Sequence, residues 1–239
     1  GNLRLERRQA RHEIWRRGQG FDRPDFSWPS ISVVLLAENA ESVPETSTPV
    51  TGQIYPGPEV REFFWQPGER LPESAEIFIL MKKGIRLASD AAREVAEALH
   101  GRSDTLVVLS GQPERGLLGV RLGFFLENRC AKKQGSLAPG GGLALTRELW
   151  ERLSREAEDD FLSASQSRGA VPAGAAVTPP WRCGLSTLSN DSALFETDEY
   201  SVRLLGVARK VGAQILFWER ARTITPWETI CAVGIGALR

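Results

Sequence analysis

Residues 75–99, AEIFILMKKGIRLASDAAREVAEAL, decide the fold class. Ile77, Phe78, Ile79, Leu80 and Met81 form an unbroken apolar run. A run of that length between polar flanks reads as a strand buried on both faces. It breaks at Lys82, Lys83 and Gly84, and the spacing beyond predicts an amphipathic helix with Ser89 as N-cap and Gly101 just past its end. Strand, turn and helix in this order build open α/β sheets, where ligands bind outside the carboxyl ends of the strands. The two ammonium groups are therefore either a ligand contact or a solvated strand end.

The pattern recurs outward from this unit. ISVVLLAEN (31–39) and DTLVVLSG (104–111) read as buried strands, and QIY (53–55) and VREFFW (60–65) as short ones. LLGVRLGFFLENRCAKK (117–133) has helical character despite Gly119 and Gly123. The turn PGGG (139–142) precedes a short strand, Leu143 to Leu145, that runs into a helix near Thr146. ETDEYSVRLLGVARKVG (196–212) reads as a helix closed by Gly212, and AQILFWERARTI (213–224) as the strand after it. Residues 163–192, rich in Ser, Ala, Gly and Pro, read as a loop or insertion. Alternating strands and helices predict an α/β fold with a mainly parallel central sheet and helices on both faces. Trp150 is expected in the core, and Phe63, Phe64 and Trp65 in the core or at an edge. Trp181 falls in a loop, where an acceptor contact or a membrane-interface role competes with packing.

Composition narrows the function classes. Of 239 residues, 41% are hydrophobic and 25% charged, with zero net charge, so the whole chain carries no signal for a nucleic-acid polymer. Six arginines against Glu6 and Glu13 give residues 1–17 a charge of +4, leaving −4 for the rest. That segment reads as a basic helix, either lying on a membrane surface or packed on its own domain. Cys130, Cys183 and Cys231 are too few and too scattered for a disulfide framework or a cysteine-ligated zinc. With His12 and His100 alone, a histidine metal centre or a Ser-His-Asp triad is not expected. Phosphate-loop, nucleophile-elbow and H-E-x-x-H signatures are absent from the sequence.

Four stretches in order resemble the family 2 glycosyltransferases, nucleotide-diphospho-sugar transferases of GT-A fold. WPSISVVLLAENAES (28–42) is similar to the family's opening strand and turn, which places Glu38 and Asn39 near the nucleotide. IFILMKKGIRLASDAAREVAEAL (77–99) is similar to the strand, D-x-D turn and helix. GGGLALTRELWERL (140–153) resembles the segment where Gly140, Gly141 and Gly142 leave room for the sugar. FETDEYSVRLLGVARKVGAQILFWERARTI (195–224) resembles the acidic catalytic helix, with the base among Glu196, Asp198 and Glu199 and Arg203 following. A second acidic cluster, EAEDDFLSASQSRG (156–169), makes Asp159 and Asp160 reserve candidates.

The resemblance implies transfer of a sugar from a nucleotide-diphospho-sugar to a lipid or glycan acceptor. Family members hold Mn²⁺ or Mg²⁺ at the D-x-D turn, but Lys82 and Gly84 stand at those positions here. Either Lys82 and Lys83 replace the cation against the diphosphate, or the standard chemistry is lost and the chain is a binding or assembly module. The implied organisation is a basic juxtamembrane helix and lead-in (1–27), a GT-A-like domain (28–225) and an apolar tail (226–239). It suits a cytosolic domain at the cytoplasmic face of the cell membrane, cut from a longer membrane protein.

Overall fold

The computed structural model describes residues 2–36, 50, 52–65, 71–116, 118–156 and 199–230. The chain opens with helix α1 (Asn2–Gln19) and strand β1 (Ile31–Leu36), and then β2 (Arg61–Trp65), β3 (Ile77–Lys82) and β4 (Arg86–Leu87) follow. Next come α2 (Ala91–Leu99), β5 (Thr105–Pro113), α3 (Leu118–Gln134) and β6 (Leu143–Thr146), which passes directly into α4 (147–156). Helix α5 (Glu199–Lys210) and β7 (Gln214–Thr225) complete the order.

The continuous apolar runs do become buried strands. All six residues of β1 and the first five of β3 are buried. Their side chains alternate between two cores. Val33, Leu35, Ile77, Ile79, Met81 and Leu109 pack under α2. Val34, Leu36, Phe78, Leu80, Val108 and Leu143 pack against Leu149 and Leu153 of α4 and Leu204, Leu205 and Ala208 of α5. Helices therefore cover both faces, and each buried Leu, Ile or Phe contributes on the order of 1.5–3 kcal/mol.

Seven strands join in the order β2-β1-β3-β6-β5-β7-β4. The sheet is mixed, which corrects the expectation of a mainly parallel one. Pairs β1–β2, β1–β3 and β5–β7 are parallel, whereas β3–β6, β5–β6 and β4–β7 are antiparallel. Connection length explains the reversals. Strand β4 follows β3 after only Lys83–Ile85, too short a link for a parallel return, and it pairs with β7 instead. Strand β6 enters between β3 and β5 from the opposite end, after α3 and the glycine turn.

Other expectations shift locally. QIY lies outside any strand, because Gln53 serves α2: its Oε1 accepts from Ala92 N at 3.3 Å and its Nε2 donates to Ala88 O at 2.9 Å. The N-cap of α2 is Asp90, with no side-chain cap bond of its own, so Ser89 does not cap the helix. Gly101 does follow the helix end at φ +67. Trp150 is buried against Trp65 and Phe78, while Phe64 of edge strand β2 is exposed. Trp181 lies outside the described residues.

Candidate functional site at the carboxyl edge of the sheet

Pairing sense fixes where the strands end. Strands β1, β2, β3, β5 and β7 share one direction, so Leu36, Trp65, Lys82, Pro113 and Thr225 reach the same edge. Strand β6 runs the other way and starts there, which brings Gly140, Gly141 and Gly142 to that edge. From β1 the chain goes to β2 on one side, whereas β3 lies on the other side of β1. The strand order thus reverses between β1 and β3, and in open α/β sheets ligands bind beyond the strand ends at such a reversal. Lys82 stands at this point, as the register partner of Leu36.

Lys82 and Lys83 are both half-buried. Gly84, at φ +82, closes their turn, and Ile85 N donates to Lys82 O at 3.4 Å. A side chain at Gly84 would point toward Thr229 Oγ1, 3.9 Å from an added Cβ, so the helical turn 227–230 faces the lysine turn. Beside them, Glu114 is paired with Arg86 and accepts from Trp227 N at 3.3 Å. The Arg86 hydrogen bond holds the Glu114 carboxyl below its ordinary range.

Gly141 and Gly142 are packed against backbone, and Gly140, at φ +58, against the side chains of Thr225 and Phe124. A Cβ on Gly142 would stand 2.8 Å from Leu80 O, and one on Gly141 would stand 2.6 Å from Leu109 O. Thr223 Oγ1 donates to Gly140 O at 2.6 Å, and Phe124 of α3 comes within 3.7 Å of a Cβ placed on Gly140. Asn128 of α3 clamps Gly111, accepting from its N–H at 3.1 Å and donating to its carbonyl at 2.7 Å. Gly141 and Gly142 let strand ends and turn approach closely.

The candidate residues separate into groups. Lys82 and Lys83, at and just past the end of β3, and Gly140 to Gly142, just before β6, share one edge of the sheet. Arg203 sits on the exposed side of α5, on a separate element. Glu199 opens α5. Glu38, Asn39, Asp159, Asp160, Glu196 and Asp198 lie outside the described residues. The lysine turn holds no side-chain oxygen, so its residues do not fit Mn²⁺ or Mg²⁺, which take oxygen ligands.

A second polar cluster was not legible in the sequence. Glu94 and Glu97 of α2 are buried at 3% and 1% exposure because α1 lies over them. Arg16 Nε donates to Glu97 Oε1 at 2.7 Å, and His12 Nε2 lies 3.7 Å from Glu97 Oε2 and 3.9 Å from Glu94 Oε2. Trp15 packs on Trp218 of β7, whose Nε1 donates to Glu94 at 3.1 Å. The basic helix is thus held on its own sheet by one side, with Arg11, Ile14 and Arg17 turned outward.

His12, Glu94 and Glu97 could place three ligand atoms within 4.8 Å of one another. Their surroundings oppose a cation. Arg220 Nη1 lies 2.6 Å from His12 Nδ1, and a guanidinium can only donate, so the neutral ring carries its proton on Nε2, the atom a metal would need. Arg16, Arg93 and Arg220 also surround the two carboxylates. Burial, with those arginines, lowers His12 to about 4, and burial raises Glu97. The cluster is a neutral histidine within an Arg–Glu network that fastens α1.

No protein-family model and no curated protein matches the chain.

Proposed function

We propose that the chain is a GT-A-like domain of the family 2 glycosyltransferase type, binding a nucleotide-diphospho-sugar at the carboxyl edge of its sheet. One observation carries the reading: the strand order reverses between β1 and β3, and Lys82 stands at that reversal beside the end of β1. Two ammonium groups there meet the diphosphate directly and oppose the charge that builds as the sugar leaves. In the transfer, an acceptor hydroxyl oxygen forms the new bond to the anomeric carbon while the bond to the diphosphate breaks. A carboxylate among Glu196, Asp198 and Glu199 takes the hydroxyl proton, with Asp159 and Asp160 in reserve. The acceptor is a lipid or a glycan, and the setting is the cytoplasmic face of the membrane.

A second reading has its own support. The β3–β4 turn carries no carboxylate, so a module that binds without transferring sugar uses the same edge.

Calorimetric titration of nucleoside diphosphates separates these, with Mn²⁺ and with EDTA, on wild type and on Lys82→Ala/Lys83→Ala. Binding that persists in EDTA and falls at least about tenfold in the double variant is expected, the scale of charge-assisted phosphate contacts. A strict metal requirement would remove the lysines from the role given them. Binding without hydrolysis or transfer of the sugar would favour the second reading, and a folded protein that binds no nucleotide would end the first.

A further inference from the structure

Helix α3 has an inner and an outer face of different character. Phe124 and Ala131 are buried, with Phe124 against the glycine turn. On the outer side, Leu118, Leu122, Phe125 and Leu126 are 84%, 53%, 59% and 37% exposed. Their spacing, i, i+4, i+7 and i+8, forms one stripe over the first turns. Gly119 and Gly123, with nothing near their Cα hydrogens, lie beside it. The same outward line continues into Arg129, Lys132 and Lys133, and Arg121 flanks the stripe; all four are exposed. Lys132 is engaged with Glu219 at 2.8 Å, and among the described residues no ion pair is formed by Arg121, Arg129 or Lys133. Glu127, the helix's one carboxylate, is half-buried on the opposite side.

We propose that the outer face of α3 docks on an anionic lipid surface. Large aliphatic and aromatic side chains on one stretch, with an excess of cations over the single Glu219 carboxylate on the next, match the layering of acyl chains beneath phosphate headgroups. A protein groove would have to supply both an apolar slot and an acidic rim along one line. A bilayer supplies them as adjacent layers. Docking there leaves the inner face of α3 on the glycine turn, so that the turn lies across the helix from the membrane. The inference does not rest on sugar transfer, and its readout needs no activity.

The test is co-sedimentation of the full chain with phosphatidylcholine vesicles, with and without phosphatidylglycerol. Sedimentation with the anionic vesicles is expected, and Leu122→Ser/Phe125→Ser should weaken it about tenfold or more. Arg129→Glu/Lys133→Glu should abolish the preference for phosphatidylglycerol. Because these side chains are exposed, thermal unfolding should stay unchanged. Arg11→Glu/Arg17→Glu, on the outward side of α1, should leave binding in place. Absence of vesicle binding by the folded wild type would overturn the proposal. So would binding that survives the α3 substitutions or is lost only with the α1 pair. Self-association removed by Leu122→Ser/Phe125→Ser, without vesicle binding, would assign the stripe to a second copy instead.

Discussion

Single residues at the edge respond to substitution according to what surrounds them. Gly141→Ala and Gly142→Ala force a Cβ against strand carbonyls at 2.6 and 2.8 Å, and each should cost about 1–3 kcal/mol. Gly123→Ala, in the open face of α3, should stabilise by about 0.5–1 kcal/mol. Urea unfolding of the three variants checks the contrast; equal effects would mean that the turn yields. Titration discriminates similarly within the α1 cluster. His12 holds a folded value of about 4 against an ordinary 6.5, beside Arg16, Arg93, Arg220, Glu94 and Glu97. Between those values the unfolded chain binds a proton that the folded chain refuses. Stability present above pH 6.5 is therefore lost as the pH falls toward 4. Glu97, raised from 4.5, works in the opposite sense: its contribution is present below 4.5 and is lost as the pH rises through its folded value. Stability measured from pH 4 to 7 should show His12→Gln flattening the acid-side loss. Glu97→Gln should flatten the loss on the other side. A His12→Gln protein with an undiminished acid-side decline would assign that decline to other groups.

Elements were legible where one force dominates. The runs at 31–36, 77–81 and 105–109 could satisfy their apolar side chains only inside a sheet, and β1, β3 and β5 stand there. Helix α3 was legible despite its two glycines, and Gly212, at φ +73, closes the turn after α5 as its position suggested. Strand β4 was not legible: two residues, Arg86 and Leu87, carry no periodicity, and their pairing to Ile224 and Thr223 comes from far along the chain. Helix α2 read as amphipathic yet is buried almost all round, since α1 brings Arg16 and His12 to the side that holds Glu94 and Glu97. A carboxylate pair spaced i, i+3 in an alanine-rich helix was the available signal, but the arginine that satisfies it is 81 residues away. At the edge, Lys82 and the glycines could be named from the sequence. Thr223, Asn128 and the Arg86–Glu114 pair could not, because each depends on tertiary approach.

The whole molecule depends on one sheet shared by two cores. Adjacent residues of β3 serve opposite sides, Ile79 beneath α2 and Leu80 beneath α4 and α5. Ile79→Ala and Leu80→Ala should each cost about 2–5 kcal/mol. Each should also shift a single unfolding transition, because neither core keeps a face without the sheet. Calorimetry showing two transitions, with only one moved by each variant, would mean that the faces are independent. Strand β6 adds a temporal consequence. Its four residues are the partner of both β3 and β5, yet they leave the ribosome after both. At ordinary synthesis rates, the interval from Pro113 to Thr146 lasts on the order of 2–7 s. Throughout it the edges of β3 and β5 that β6 will join are open, each flanked by apolar side chains, and β5 also awaits β7 on its other side. A chaperone acting on this protein during translation would find its clearest target there, and a ribosome pausing between those residues would prolong the exposure.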